Sequence, residues 1–312
     1  MTLSIIVANT DKEHHGLDTT VRSIVMQGCD DVQIVGVGSI GGFDWEEALS
    51  GSSLLALLTL VRRESDDNAV LRDAALRHCQ GHYVWMLTAG DSLAPYTLPV
   101  IMARLGAHPD YDMMECPVSW TDKSGAECTM TFGSAEYNDI TGYWTGSQAF
   151  DHPWLCNKIF RRSLLASIPV KVDADDYELS TLLETLDRCH VFATTEEGGI
   201  WHPGADIQIE QMDDRQLHYR LRHYTSLIEQ WQLTETPTAF YAHTLRHQLE
   251  WCLRTRHQPQ LQAPRQLRRS DIRQASTDRA HRRLLTQLHH LGMNNLCRYY
   301  RIQHRWKKKH RS

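Results

Sequence analysis

Short apolar runs alternate with amphipathic segments along the first hundred residues of the chain. Leu3–Asn9 and Val32–Gly38 are rich in Ile and Val, and His82–Asp91 contains a third apolar run. This continuous apolar character predicts strands that are covered on both faces, as in a parallel sheet. Leu17–Gln27 and Asn68–Cys79, which lie between these runs, carry apolar residues at helical spacing. Strands and helices in this order predict a parallel α/β sheet that binds ligands beyond the carboxyl ends of its strands.

The pattern is less regular farther along the chain. Leu54–Val61 is rich in Leu and fits either a strand or a helix, and residues 111–150 indicate antiparallel strands with loops. Asp176–Cys189 has a leucine face at helical spacing, and His190–Thr194 predicts a final short strand. After Met212 the composition changes to long helices rich in Gln, Arg and His. We therefore predict an α/β domain over residues 1–205 and a basic α-helical region over residues 206–312, with a frayed end.

The charge of the chain is divided unevenly between these two regions. Residues 211–312 hold 20 Lys and Arg but 7 Asp and Glu, a net charge of +13, whereas residues 1–210 carry −18. The acidic part is unsuited to nucleic acid, because phosphates attract the opposite sign. The basic C-terminus also carries Tyr299, Tyr300 and Trp306. It would suit an anionic membrane surface, a nucleic acid, or the acidic part of its own or a partner subunit in a homodimer.

Signals for membrane insertion and export are missing from the sequence. The apolar run Leu54–Val61 is far shorter than the ~18–20 residues that span a bilayer. The N-terminal residues include neither the basic region nor the small-residue cleavage site of a signal peptide. The eight cysteines are scattered singly with no CxxC pair, which favours reduced thiols. We therefore expect a cytoplasmic protein, which its basic C-terminus would bring to the inner face of the membrane.

Six strings resemble, in the same order, those of the family 2 glycosyltransferases. They are LSIIVAN at Leu3–Asn9, SIVMQ at Ser23–Gln27, RDAALRHCQGHYVWML at Arg72–Leu87, WLCNKIFRRSLL at Trp154–Leu165, DADDYELSTLLETL at Asp173–Leu186 and GGIWHPGA at Gly198–Ala205. The resemblance implies the α/β GT-A fold, a Rossmann-like mixed sheet flanked by helices, here followed by an α-helical C-terminal region. It also implies an inverting transferase that moves a sugar from a nucleotide-sugar donor to a hydroxyl of a surface glycan or lipid-linked acceptor.

The resemblance also assigns site residues. Asp176, with Asp175 beside it, matches the acidic residue that acts as the general base. A carboxylate suits this role because it can accept the proton of the acceptor hydroxyl. Trp144 and Trp154 are candidates for stacking on the acceptor, with core packing as the alternative. The resemblance places the donor-binding site at Thr10, Gly38, Ser39, Arg72, Thr88, Asp91 and His202.

Two acidic motifs of the family are incomplete in this chain. The Asp-x-Asp string, which holds a divalent metal on the donor diphosphate, lies within Thr88–Asp91, where only the last Asp is kept. The Asp-Asp-Gly-Ser string corresponds to Gly36–Ser39, which lacks both acids. Asp91 is thus the single expected ligand for Mn²⁺ or Mg²⁺, which are hard cations that prefer oxygen. Its alternative role is to cap the helix expected to begin near Pro95.

The incomplete motifs leave other functions open. Lys158, Arg161 and Arg162 are further candidates for contacts with phosphate, or else they are solvated charges. A donor site that uses Arg, Lys or His without a metal is therefore one alternative. A catalytically inactive GT-A-like module, which binds a glycan or scaffolds an assembly system, is the other. The missing acids favour the inactive module, whereas the retained Asp175–Tyr177 helix start favours the transferase.

Overall fold

The chain forms two compact units in a computed structural model. The first comprises residues 1–143 and 152–206, and the second comprises residues 144–151 and 207–312. The structure describes residues 1–9, 16–39, 57–65, 67–121, 125–147, 154–168, 177–203, 209, 212–230, 238–255, 257–262, 272 and 279–309.

The described residues of the first unit form twelve strands. These are β1 (Leu3–Asn9), β2 (Val32–Ser39), β3 (Leu58–Arg63), β4 (Tyr83–Thr88), β5 (Ser92–Leu93), β6 (Met113–Glu115), β7 (Val118–Thr121), β8 (Glu127–Met130), β9 (Ala135–Tyr137), β10 (Lys158–Arg161), β11 (Phe192–Thr194) and β12 (Ile200–His202). Eight of them build a sheet in the order β3-β2-β1-β4-β10-β6-β11-β9, and four build a smaller sheet in the order β5-β12-β7-β8.

Nine helices accompany these strands in the described parts of the chain. They are α1 (Leu17–Val25), α2 (Asn68–Leu76), α3 (Thr97–Ala107), α4 (Ile140–Ser147), α5 (Arg162–Leu165), α6 (Tyr177–Leu186), α7 (Asp214–Gln230), α8 (Thr238–Arg254) and α9 (Arg279–Lys309). The predicted fold class, a mixed α/β sheet with helices and a helical C-terminal region, is confirmed.

The continuous apolar runs form the centre of the large sheet. β1 pairs in parallel with β2 on one side and with β4 on the other. Residues 3–8 and 83–87 are buried without alternation, because both faces of these strands are covered. β3 pairs in parallel with β2 from Leu58 to Arg63, so the segment that fitted either a strand or a helix is a strand from Leu58 onward. β10 is antiparallel to both β4 and β6, which makes the sheet mixed.

A buried ion pair lies between β6 and β10. Lys158 Nζ is 2.7 Å from Glu115 Oε1, and the two side chains are almost completely buried. The second oxygen of Glu115, Oε2, accepts a hydrogen bond of 2.7 Å from Tyr143 OH, and Oε1 accepts another from Asn157 Nδ2. Lys158 also donates to Asn157 Oδ1 and to the carbonyl of Trp154. The pair therefore connects two strands and the segment that precedes β10.

The second unit consists mainly of α7, α8 and α9. Its interior includes Leu217 and Leu221 of α7, together with Phe240 of α8. α9 is interrupted at Gly292, which has a φ of 69°. The expectation of a frayed end is wrong for the residues before 310, because the helix continues to Lys309. None of the helices in the described parts of the chain is both long and apolar enough to cross a membrane.

Two cysteines meet inside the second unit. Sγ of Cys252 on α8 is 2.9 Å from Sγ of Cys297 on α9, and both residues are buried. The hydrogen bond between the two thiols lowers the pKa of Cys252 to about 7, although desolvation acts in the opposite direction. In the first unit burial instead raises the pKa of Cys79 to about 11. All eight cysteines are free thiols in this structure.

Candidate functional site

The candidate site lies where β4 ends, at the carboxyl edge of the parallel part of the sheet. Asn9 at the end of β1 is in register with Gly38 on β2, and Ala8 is in register with Thr88 on β4. The structure therefore brings the predicted donor residues Gly38 and Thr88 to the same edge, one strand on each side of β1. Ligands bind at such edges in α/β sheets because the strands end there and the loops diverge.

Asp91 lies in the turn that follows β4. The side chain is completely buried, and its Oδ2 accepts a hydrogen bond of 2.7 Å from the backbone N–H of Thr88. Oδ1 is 2.6 Å from Nδ1 of His202. The alternative role of Asp91 as a helix cap is wrong, because Tyr96 occupies the N-cap position of α3. The two carboxylate oxygens of Asp91 instead contact the backbone of its own turn and the imidazole of His202.

Side chains of α1, and that of Gln27 just after it, hold the turn in place. Oγ1 of Thr20 accepts the N–H of Gly90 at 2.9 Å, and Oγ of Ser23 accepts the N–H of Leu93 at 3.0 Å. Gln27 donates to the carbonyl of Ala94 at 3.1 Å. The polar residues of the SIVMQ string thus fix the backbone next to Asp91.

Glycines allow the chain to approach this turn closely. Gly16 has a φ of 88°, and a Cβ built there would lie 2.5 Å from Cα of Gly90. Gly90 has a φ of 105°, and its Cβ would lie 2.9 Å from Cγ of Pro203. A larger residue at either position would combine an unfavourable backbone conformation with a steric clash. The two glycines therefore allow the start of α1 and the residue after His202 to pack against the Asp91 turn.

His202 is the last residue of β12, in the smaller sheet. Thr97 and Gly199 hold the start of β12, since Thr97 Oγ1 accepts the Gly199 N–H at 3.0 Å. The ring of His202 lies 5.7 Å from the ring of Trp154, which in turn contacts Trp120 edge to face at 4.8 Å. The side chain of His202 keeps 21% of its surface exposed, whereas Asp91 has none. The imidazole of His202 therefore contacts the buried carboxylate of Asp91 on one side and solvent on the other.

Cys156 completes the cluster, and sequence reasoning missed it. One ligand atom each of Asp91, Cys156 and His202 lies within 4.8 Å of the other two. Among the described residues, no other set of three His, Cys, Asp or Glu side chains is close enough to hold a metal. The carbonyl of Cys156 accepts a hydrogen bond of 2.6 Å from Trp85 Nε1, which fixes the backbone of this residue. A lone Cys in the WLCNK string carries no signal that it faces Asp91.

This donor set does not fit the metal that the resemblance implies. Mg²⁺ and Mn²⁺ favour several oxygen ligands, and the cluster offers one carboxylate together with an imidazole and a thiol. Nitrogen and sulfur ligands are characteristic of softer cations.

The other predicted donor and acceptor residues are distributed as follows. Arg72 on α2 is buried and donates from Nη2 to Thr88 Oγ1 at 3.2 Å, so it touches the end of β4. Trp154 is mostly buried beside His202. Trp144 is buried in the second unit, where its ring meets Phe240 edge to face at 5.1 Å. Both tryptophans therefore pack against other rings, and their stacking on an acceptor stays a prediction.

Several predicted residues lie outside the described part of the chain. Thr10 belongs to them, as do Asp175 and Asp176, which directly precede α6 in the sequence. Ser39 is described only as the last backbone position of β2. The roles of these residues remain predictions.

The three candidate phosphate ligands have other partners. Lys158 is buried against Glu115, and Arg161 contacts Asp112 at 3.2 Å. Arg162 donates from Nε to the carbonyl of Gly81 at 2.8 Å. The prediction that these cations meet a phosphate is wrong for Lys158, because no charge of the pair remains accessible. Arg161 and Arg162 serve as links between backbone segments.

The fold and the site define an α/β protein with a mixed sheet, a polar cluster at the carboxyl edge of its parallel strands and a helical C-terminal unit. Within that class the chain is similar in structure to TarS of S. aureus. The crystal structure of TarS 1–349 matches with a TM-score of 0.59 at 14% identity, covering 98% of this chain and 92% of that one. The same fragment in complex with UDP gives 0.58 at 13% identity, and in complex with UDP-GlcNAc 0.57 at 14%, with the same coverage.

Comparisons of sequence give no relative. No protein-family model matches the chain, and no curated protein matches it significantly. At this level of identity the similarity to TarS shows a common fold over nearly the whole chain. The chemistry must be argued from the residues of the site.

Proposed function

We propose that the protein binds a nucleotide sugar and transfers the sugar to a hydroxyl group of a glycan or lipid-linked acceptor. The observation that carries this proposal is the fold, which extends over 98% of the chain and is shared with a protein crystallised with UDP-GlcNAc and with UDP. The cluster around Asp91 supports it, because polar groups gather at the sheet edge where α/β proteins bind ligands. The proposal also agrees with the six strings that resemble those of the family 2 glycosyltransferases, although no family model matches the chain.

The donor would lie across the ends of β1, β2 and β4. Gly38 brings backbone without a side chain to this edge, where a nucleoside would bind. The diphosphate would approach His202, the partly exposed member of the cluster. An imidazole can bind a phosphate oxygen as a hydrogen-bond donor.

The proposed reaction is a single displacement. The acceptor oxygen forms a bond to the anomeric carbon while the bond between that carbon and the diphosphate oxygen breaks. The hydroxyl proton passes to the carboxylate of Asp176, and the nucleoside diphosphate leaves with the electron pair. Because attack and departure occur on opposite faces of the sugar, the configuration at the anomeric carbon is inverted.

Thermal unfolding with a panel of nucleotide sugars tests donor binding. We expect UDP-GlcNAc, tested beside GDP-, dTDP- and CMP-sugars, to raise the melting temperature. At 100 times its Kd a ligand adds about 2.7 kcal/mol, which corresponds to a shift of about 5–11 °C at roughly 2–4 °C per kcal/mol. The measurement is made with and without a chelator, so that a metal requirement is seen separately.

A pair of histidine variants gives this experiment its control. His202→Gln should reduce the shift, whereas His78→Gln should leave it unchanged, because His78 is exposed at the end of α2 and outside the cluster. Binding without turnover toward any acceptor would favour the inactive binding module. The absence of a shift with every donor would contradict the proposed function.

We also propose that the C-terminal helix rests on an anionic membrane surface. Tyr299, Ile302 and Trp306 of α9 are 41%, 68% and 62% exposed, and their spacing of three and four residues places them on one face. Arg301 points to the interior of the unit, where it donates to the carbonyls of Cys252 and Thr255. Aromatic and aliphatic side chains beside basic residues are typical of helices at a membrane interface.

Sedimentation with lipid vesicles tests this second proposal. We expect the protein to bind vesicles that contain phosphatidylserine and to bind neutral vesicles weakly, at about 1 kcal/mol per basic residue near the surface. Ile302→Glu with Trp306→Glu should abolish the binding. Met26→Glu is the matched control, since Met26 is an 83% exposed apolar residue of the first unit. Equal binding by both variants would contradict a role of the helix face.

A further inference from the structure

We propose that Asp91, Cys156 and His202 form a binding site for a borderline divalent cation of the zinc class. The resemblance implies Mn²⁺ or Mg²⁺ at this position, but a carboxylate, a thiol and an imidazole are a donor set that suits zinc better. The role of the ion in sugar transfer rests on the proposed function. Binding of the ion itself does not, because it requires only the three side chains.

The geometry fits three protein ligands and one open position. The three ligand atoms lie within 4.8 Å of one another, and the ligand atoms of a tetrahedral zinc site are about 3–4 Å apart, given bonds of about 2.0–2.3 Å. Small rotations of the side chains therefore suffice. Asp91 and Cys156 are buried, and the partly exposed His202 marks the side on which a fourth ligand can enter. Zinc sites that act on substrates have this arrangement of three ligands and one open position.

The residues around the cluster hold the ligands in position. Oδ2 of Asp91 is fixed by the Thr88 N–H, which leaves Oδ1 directed to the cluster. The backbone of Cys156 is held by Trp85 Nε1. The ring of Trp154 lies beside the imidazole of His202. Such outer contacts orient metal ligands and raise affinity, because the ligands lose little conformational freedom on binding.

The charges also balance. A thiolate from Cys156 and the carboxylate of Asp91 together carry two negative charges, which a divalent cation neutralises when the imidazole is neutral. Binding releases the thiol proton, so the affinity should rise with pH. A thiolate is a soft ligand that selects Zn²⁺ or Co²⁺ over Mg²⁺ and Mn²⁺, which prefer oxygen. If the three side chains held such an ion, its remaining coordination could be completed by an oxygen of the donor diphosphate, which would enter beside the partly exposed His202.

Cobalt absorption measures this site without reference to activity. Co²⁺ added to the metal-free protein should produce the visible bands of a tetrahedral ion and a thiolate-to-cobalt charge-transfer band in the near ultraviolet. Zn²⁺ should displace the Co²⁺, and excess Mg²⁺ or Mn²⁺ should not. Cys156→Ser should remove the charge-transfer band and lower the affinity for Zn²⁺ at least about 100-fold, since loss of an outer contact alone costs 10–100-fold.

Two further variants separate the loss of a ligand from the general effect of replacing a cysteine or of misfolding. Cys128→Ser is the matched control, because Cys128 lies on β8 and does not belong to the cluster. His202→Gln changes a partly exposed ligand, so the test can still be made if Cys156→Ser does not fold; circular dichroism checks both. The proposal is overturned if the band is absent, if it persists in Cys156→Ser, if His202→Gln binds Co²⁺ as tightly as the wild-type protein, or if Mg²⁺ competes equally with Zn²⁺.

The outcome is separable from that of the proposed function. Metal binding is measured with no donor present, and donor binding is measured both with added Zn²⁺ and with a chelator. A cobalt spectrum with no response to any nucleotide sugar would support the metal site and contradict the transferase. A response to a nucleotide sugar without a cobalt spectrum would do the reverse.

Discussion

Asp176→Asn is expected to lower the rate of sugar transfer by about 10²–10⁴-fold, which is the usual contribution of a general base. The amide keeps the size of the carboxylate but cannot accept the proton of the acceptor hydroxyl. Donor binding should be unchanged, because the proposed donor contacts are made by other residues. Turnover at saturating donor and the thermal shift with that donor measure the two effects on the same preparation.

Asp173→Asn is the control for this prediction. Asp173 lies three positions earlier in the same acidic string and has no assigned role, so its replacement should leave turnover within a few-fold of the wild-type rate. Equal turnover by Asp176→Asn and the wild-type protein would place the base elsewhere. Equal losses in the two variants would indicate a general effect of charge rather than proton transfer.

Lys158→Met is expected to lower the free energy of unfolding by about 3–5 kcal/mol, because it leaves a buried carboxylate without its counter-ion. Glu115 would keep only the neutral donors Tyr143 and Asn157. The melting temperature should fall by roughly 6–20 °C, at about 2–4 °C per kcal/mol. Denaturant unfolding and calorimetry measure the change. The same substitution should also weaken ligand binding at the cluster of Asp91, Cys156 and His202, since the ion pair anchors the segment next to Cys156.

An exposed ion pair of the same chain provides the comparison. Asp73 on α2 and Arg77 at the C-cap of this helix are 2.8 Å apart, but the arginine is largely in solvent. Arg77→Met should therefore cost at most about 1 kcal/mol. The double variant Glu115→Gln with Lys158→Met should recover part of the loss, because it removes the uncompensated charge. A loss from Lys158→Met no larger than that from Arg77→Met would show that the buried pair contributes little.

The central strands illustrate what hydrophobic patterning predicts well. β1 and β4 are covered on both faces, so their residues are continuously apolar, and their position at the centre of a parallel sheet follows from that pattern. β3 was ambiguous because it lies at the edge of the sheet, where burial is incomplete and the pattern is weak. The segment forms a strand because it pairs with β2, and no local pattern in the sequence reveals that pairing.

Buried charge was the least predictable feature. Lys158 and Arg161 were candidates for contacts with phosphate because the sequence shows their charge but not their burial. Glu115 and Asp112, their partners, lie about 40 or more positions earlier and meet them through the antiparallel pairing of β10 with β6. Solvated and buried charges have the same sequence signature, since the difference depends on what packs around them.

The sequence by itself determined the order of the central strands and helices and the helical C-terminal region, and it singled out Asp91 as a candidate, because these depend on local periodicity or on a residue in a recognisable string. Only the tertiary structure decided what Asp91 meets. His202 lies 111 positions after Asp91 in the chain, and Cys156 lies between the two. The three side chains converge because β4, β12 and the segment before β10 come together around one buried turn. Side chains brought together by strand pairing and packing leave no periodic trace in the chain. The resemblance named Asp91 and His202 separately, but their contact and the presence of Cys156 beside them appear only in the folded protein.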